Sequence, residues 1–234
     1  MKKTLIKLFL GEPGYNTLPK HSAYQNYVRH LRDIWNNKNH HDVGLEKIVR
    51  LFLLFIQVIF PGMHIRNYFG KKGIIIRSLA NEAYVLLKVV LPLVFLSTGL
   101  YNLKIVVWFS FYLLMETICY VASLIFVSDI FVKPRSYRRN ILMLFLNYLE
   151  IAACFAVIYG GLHLLNDKAK GITDFLYFSI VTSTTVGYGD IYPATHMGKI
   201  IACIHSLLTI SFIVLFLNFF SSKVETLHNS EDLI

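Results

Sequence analysis

The chain has 234 residues, of which 55% are hydrophobic and only 16% charged, with a formal net charge of +9. Soluble domains carry about 25% charged residues, so this composition and a mean hydropathy of +0.53 exclude an ordinary soluble fold and indicate a membrane protein. The positive charge does not indicate a nucleic-acid partner, because Lys and Arg cluster before and between apolar runs, as they do in the cytoplasmic loops of membrane proteins.

Residues 1–47 are polar and mixed, with Pro13, Gly14, Pro19 and an Asn/His-rich stretch from Asn36 to His41. Eight basic residues against four acids make this segment +4, and it reads as a cytoplasmic arm with short helical pieces. The opening Met-Lys-Lys-Thr-Leu-Ile-Lys resembles a signal peptide, but Lys7 interrupts its apolar run and retention is expected. Residues 48–82 follow as an apolar helix, Ile48 to Phe60, ended by Pro61 and Gly62, and a basic linker. That helix is roughly 20 Å long, against a hydrocarbon core of about 30 Å. Arg50 and Gln57 interrupt it, and the linker carries Arg66, Lys71, Lys72 and Arg77 against Glu82. Basic residues on both sides favour an interfacial or re-entrant helix over a true span.

Residues 83–128 form an apolar hairpin, Ala83 to Gly99 and Lys104 to Val127, turning at Ser97 to Asn102 with Gly99 as helix terminator. Pro92 is expected to kink the first span. The linker 129–139 carries Lys133, Arg135, Arg138 and Arg139 against Asp129, which places it on the cytoplasmic side. Arg135 and Arg138, beside Pro134 in a polar loop, read as an anchor of that kind and not as a voltage-sensing ladder, so gating is expected to be at most weakly voltage-dependent. Lys88 lies fourteen residues before Asn102 and Glu116 fourteen after it, at equal depth on antiparallel helices, and Glu150 reaches the same level on the next span. Isolated mid-bilayer charges cost at least about 2.5–3.5 kcal/mol each on insertion scales. A contact between Lys88 and Glu116 is therefore expected, with Glu150 as competing partner. Cys119, Cys154 and Cys203 all fall inside apolar segments without metal-ligand spacing and read as small core residues.

Residues 140–222 read as one module: a span from Ile141 to Gly161, a polar turret from His163 to Gly171, and a helix through Phe175 to Ser183 capped by Thr173 or Asp174. A loop follows, then a second span from Ile200 to Ser222 free of Asp, Glu, Lys and Arg. The helix before the loop is too short to cross a membrane, so it enters and returns, which is permitted where protein surrounds it. The loop reads Thr184-Thr185-Val186-Gly187-Tyr188-Gly189-Asp190. It resembles, residue for residue, the selectivity filter of tetrameric potassium channels. The physics fits: a dehydrated potassium ion needs about eight oxygens in place of its hydration shell. Consecutive carbonyls face one way only if alternate residues take positive φ, which Gly187 and Gly189 do without steric cost. The ion-binding run is then Thr185, Val186, Gly187, Tyr188 and Gly189, with the Thr185 hydroxyl in the lowest ring and Tyr188 bracing from behind. One loop supplies too few oxygens, so four copies around an axis are expected: a homotetramer in a lipid bilayer.

The resemblance implies further roles. Thr184, Asp190, Tyr177 and Phe178 would support the filter. Tyr177 and Phe178 stand where many members of the family have two tryptophans, and Tyr177 is placed to hydrogen-bond Asp190. Val181 stands where some bacterial channels have a Glu paired with the filter Asp, so Asp190 is expected to be held differently here. In the family's register Thr209 falls at the usual Gly hinge of the inner helix, and Ile210, Ile213, Leu217 and Asn218 face the cavity or its mouth. Ile213 and Leu217 would form a constriction that gates by dewetting. His205 reads as a packed polar residue. The tail, 223–234, is too short for a regulatory domain.

The sequence thus predicts an all-α membrane protein that conducts potassium passively through the plasma membrane, with both termini cytoplasmic. Potassium ions are its only expected ligand; no cofactor, catalytic residue or nucleic-acid partner is implied, and no regulatory partner is legible. Two rivals stand beside it: a subunit of a potassium uptake transporter, whose relatives carry four pore repeats in a chain, and a membrane-embedded enzyme using His40, His41 or the cysteines. Neither has a matching motif.

Overall fold

A computed structural model describes residues 22–36, 43–127 and 137–231. The first 21 residues, the stretch containing His40 and His41, and most of the basic linker with Lys133, Pro134 and Arg135 lie outside the described residues. Most of the described residues are helical: α1 (Ala23–Trp35), α2 (Leu45–Ile56), α3 (Pro61–Gly70), α4 (Ile74–Ser97), a 3-10 turn (Leu100–Asn102), α5 (Lys104–Phe126), α6 (Tyr137–Gly161), α7 (Ile172–Ser183) and α8 (His196–Glu231). Four of these hold segments long and apolar enough to cross a membrane: Ile74–Ser97, Lys104–Phe126, Arg138–Gly161 and His196–Leu215.

The described residues fall into two compact units, 22–86 with 119–127 and 87–118 with 137–231. In the first, α1 starts at a reciprocal cap: the Ser22 hydroxyl accepts from the Gln25 amide at 3.2 Å and the Gln25 side chain accepts from the Ser22 amide at 3.0 Å. Its Ile34 packs with Leu53, Leu54 and Val127. The helix expected over Ile48 to Phe60 runs Leu45–Ile56, ending four residues earlier than expected, and Pro61 does more than stop it. Proline has no amide to give and a fixed φ, so it serves as the first residue of a new helix, and α2 and α3 meet at a 66° bend. His64 holds that bend, bonding the Val58 carbonyl through Nε2 at 2.8 Å and the Tyr24 hydroxyl through Nδ1. The polar residues of the run are also accommodated: Arg50 lies 3.9 Å from Glu46, and the Gln57 amide donates to the Ser123 hydroxyl at 2.8 Å.

Residues 74–82, expected as linker, are helical. They contain neither Gly nor Pro, so α4 propagates from just after Gly73, and Pro92 lies within it. In the second unit α6 is the central element. Leu96, Val106, Ala156, Val157 and Phe175 form its core, drawing on the hairpin, α6 and α7. Gly161 permits close approach: a Cβ there would lie 2.4 Å from both the Tyr101 carbonyl oxygen and Val107. The last helix does not stop at Ser222 but continues to Glu231, with no Gly or Pro to end it.

Candidate functional site

The loop from Thr184 to Asp190 is positioned by α7 before it and by residues 192–194 after it, which bond back to residues 164–166 of the turret. α7 begins at Ile172, earlier than its sequence suggested, because the Asp174 carboxylate reaches back to accept from the Lys170 and Gly171 amides at 2.8 and 3.0 Å. Phe175 and Phe178 are buried, Phe178 meeting Tyr159 edge-on at 4.8 Å and Phe175 meeting Tyr101 at 5.5 Å. The Ser179 hydroxyl donates to the Ala152 carbonyl at 2.6 Å, tying α7 to α6. At the far end, the Thr184 amide and hydroxyl both bond the Ile180 carbonyl, at 2.8 and 2.9 Å. The Thr185 and Val186 amides continue inward to Thr182 and Val181, each at 3.1 Å. The carbonyl end of the helix, the negative end of its dipole, thus lies at the start of the loop.

The loop backbone then alternates in hand. Thr185 has φ 58°, Gly187 58° and Gly189 78°, while no positive φ occurs at Val186 or Tyr188. This alternation turns successive carbonyls toward the same side, which a regular strand cannot do. Thr185 is the informative member. A residue with a Cβ costs roughly 1–2 kcal/mol in the left-handed region, and the three amide bonds at the end of α7 hold it there.

Asp190 closes the loop. Both of its carboxylate oxygens accept from the Tyr177 hydroxyl, at 3.1 and 3.0 Å, and its carbonyl accepts from the Asn166 side chain at 3.2 Å. Partial desolvation pushes the carboxyl up, but the Tyr177 hydroxyl, the Ile191 and Asp190 amides and Lys168 outweigh it and hold Asp190 below its usual value. The Tyr188 ring lies parallel to Tyr177, 5° between planes and 6.4 Å between centroids. Beyond Asp190 the chain pairs with the turret: Asn166 donates its amide to the Tyr192 carbonyl at 3.0 Å, Leu165 bridges Pro193, and Ala194 donates to Leu164 at 2.9 Å. Asn166 was not legible in advance. It lies 24 residues from Asp190, and only the folded turret brings them together.

On α8, His205 is fully buried between this loop and α6. Its ring stacks on Phe155 at 3.8 Å and 13°, Nε2 lies 2.7 Å from the Ser183 hydroxyl, and Nδ1 lies 3.3 Å from the Tyr159 hydroxyl. A packed polar residue was foreseen; its link to the last residue of α7 was not. Thr209 is 2% exposed within the single chain, its hydroxyl donating to the His205 carbonyl at 2.9 Å. Ile210, Ile213 and Leu217 do lie on an outward face, at 50%, 46% and 64% exposure. The Asn218 side chain lies outside the described residues.

The intramembrane charges meet. Lys88 Nζ is 3.1 Å from Glu150 Oε1 and 3.6 Å from Glu116 Oε2. The nearer carboxylate is therefore the one on α6, and the expected order of partners is reversed. Thr117, a residue no motif singled out, sits at the centre: its hydroxyl accepts from Lys88 at 2.5 Å and lies 2.9 Å from each Glu150 oxygen. Among the described residues no cluster of His, Cys, Asp and Glu has the arrangement to hold a metal ion.

Comparison with known proteins falls on this same region. Residues 143–226 match the family described as "Ion channel". The "Two-pore potassium channel 1" of Arabidopsis thaliana is 39% identical over 66 residues, 28% of this chain and 18% of that protein. The "Voltage-gated potassium channel" of Aeropyrum pernix is 35% identical over 81 residues, 32% of this chain and 28% of that protein. A "Two pore potassium channel b" of Oryza sativa is 46% identical over 41 residues, 18% of this chain and 12% of that protein. The chain thus spans less than a third of the length of each of these relatives. No solved structure matches it.

Proposed function

We propose that the chain is one subunit of a homotetrameric channel that selects potassium by its loop carbonyls, a reading supported by the match of residues 143–226 to the "Ion channel" family and by the similarity of this region to potassium channels of Arabidopsis thaliana and Aeropyrum pernix. One observation carries the reading: the alternating positive φ at Thr185, Gly187 and Gly189, directly after a short helix whose carbonyl end points to the loop. Four such loops around an axis supply the rings of oxygens that replace the hydration shell, and each ring is too wide for a desolvated sodium ion to contact fully. Val186 and Tyr188, 52% and 70% exposed in the single chain, provide the surface through which neighbouring copies close around the axis.

The same reading assigns the rest. Tyr177, Phe178, Thr184 and Asp190 support the filter, and Ile210, Ile213 and Leu217 line the cavity, with the last two as a dewetting constriction. Lys88, Glu116 and Glu150 fasten the hairpin to the outer helix. The protein resides in the plasma membrane with both termini inside, requires no cofactor beyond the permeant ion and takes no nucleic acid. The test is conduction by the purified full chain in liposomes, with reversal potentials read under potassium on one side and sodium on the other. A reversal potential far from zero, set by potassium, is expected; equal permeation of the two ions refutes the filter assignment.

A further inference from the structure

Two serines of α7, Ser179 and Ser183, lie four residues apart and therefore on one face of the helix, and both are buried. In α5 and α8 the hydroxyls of Ser110, Ser123, Ser206, Thr209 and Ser211 all turn back on their own helix and donate to the carbonyl four residues earlier. The two serines of α7 reach outward instead. Ser179 donates to the Ala152 carbonyl of α6, and Ser183 meets the His205 ring of α8. A helix too short to cross the membrane is thus fastened to the span before it and, one turn further on, to the span after it.

The second fastening is held rigid. Stacking of the buried imidazole on Phe155, at 3.8 Å and 13°, sets the plane of the ring. Its rotation within that plane is set by two hydroxyls, Ser183 at 2.7 Å from Nε2 and Tyr159 of α6 at 3.3 Å from Nδ1. Whichever nitrogen carries the proton, the hydroxyl opposite can answer it, being both donor and acceptor. Ser183 is the last residue of α7, and Thr185, two residues on, has φ 58°. The amides of Thr184, Thr185 and Val186 bond to α7 itself, so they carry any displacement of its last turn into the loop and do not resist one. Resistance comes from a partner on another helix. His205 is one such partner of Ser183, and the Tyr148 hydroxyl of α6 also interacts with it.

We infer that His205 is a positioning residue for ion discrimination: by fixing Ser183 it holds the end of α7, and with it the lowest ring of ligands at Thr185, at one width. This rests on the reading of Thr185 to Gly189 as the filter. A ring free to contract around a sodium ion regains the contacts that sodium otherwise lacks, and discrimination falls. The test reads the sodium-to-potassium permeability ratio of the full chain in liposomes from reversal potentials, with SDS-titrated unfolding as a parallel measure of stability. His205→Phe keeps a ring on Phe155 and removes both nitrogens, and Ser183→Ala removes only the hydroxyl, so it answers where His205→Phe does not fold. In both the ratio is expected to rise about fivefold, the factor that a hydrogen bond of typical strength is worth, and no further in the double variant. His205→Gln, whose amide extends to where Nε2 lay, is expected to recover most of the selectivity. Tyr159→Phe takes the hydroxyl from Nδ1 but leaves Ser183 its partner, so it is expected to lower stability and leave the ratio unchanged. An unchanged ratio in Ser183→Ala, or an equal rise in Tyr159→Phe, overturns the role. So does a rise in Tyr148→Phe with none in His205→Phe, which assigns the fastening to Tyr148. An unsubstituted chain that passes sodium and potassium alike overturns the filter reading, and this inference with it; a selective chain with an unmoved Ser183→Ala overturns this inference alone.

Discussion

Replacing Lys88 with Met tests whether the buried charges hold the second unit together. The substitution keeps length and apolar volume and removes the one cation of the cluster, leaving Glu116 and Glu150 at 7% and 0% exposure with the Thr117 hydroxyl between them. Breaking a buried ion pair costs roughly 3–5 kcal/mol. Lys88 offsets one of the two carboxylate charges, so its loss leaves one more charge to neutralise, and that sets a ceiling: protonating one carboxylate of ordinary pKa, about 4.3, at pH 7 costs about 1.36 × 2.7 ≈ 3.7 kcal/mol. A loss of about 3–4 kcal/mol is therefore expected at pH 7. It should shrink toward about 1 kcal/mol at pH 5, where the same arithmetic gives 1.36 × 0.7. Glu150→Gln removes the partner at 3.1 Å but leaves Lys88 the Thr117 hydroxyl and Glu116 at 3.6 Å, so a smaller loss, about 2 kcal/mol, is expected within the range for hydrogen bonds to charged groups. The double mutant should lose about 2 kcal/mol less than the sum, a coupling typical of contacting residues, and the Lys88–Glu116 cycle should give less. The assay is SDS-titrated unfolding of the purified chain in mixed micelles. Additivity within about 0.5 kcal/mol for Lys88 and Glu150, or a stronger coupling to Glu116, refutes the reasoning.

Gly187→Ala puts a Cβ at φ 58°, strained by roughly 1–2 kcal/mol in each subunit, and should abolish potassium flux in liposomes at unchanged protein incorporation. Tyr177→Phe removes the hydroxyl that donates to both Asp190 oxygens. Asp190 should then titrate closer to an ordinary carboxylate, and the fall in flux on acidifying the Asp190 side should shift to higher pH. His205→Phe keeps a ring against Phe155 but leaves the buried Ser183 hydroxyl without its 2.7 Å partner. A loss of about 1–3 kcal/mol in unfolding measurements is expected, partly recovered by adding Ser183→Ala.

What could be read from the sequence divides by the range of the interaction involved. The loop was legible because its geometry is local: glycines at alternate positions meet a φ requirement that each residue satisfies by itself. The charges could be placed at one level because helix rise is constant, so counting from Asn102 sets depth. Counting sets azimuth poorly. Successive helical residues point about 100° apart, so a count that is one residue out turns a side chain to another face. The same limit explains Glu150: depth placed it with Lys88, but only the rotation of α6 decides that it is nearer than Glu116. Pro61 was read by its power to stop a helix, when the residue that cannot continue one helix is equally fit to begin the next. Asn166 and Thr117 carry no motif. Their roles follow from a turret folding back on the residues after the filter and from three helices meeting at one hydroxyl, which are properties of packing between segments and leave no trace in either segment alone. In both cases the recognised residue is charged, Asp190 or Lys88, and the unrecognised one is a small neutral side chain that satisfies it. A buried or half-buried charge found in a sequence therefore implies a neutral partner near its depth, and the search for it belongs on the neighbouring segments.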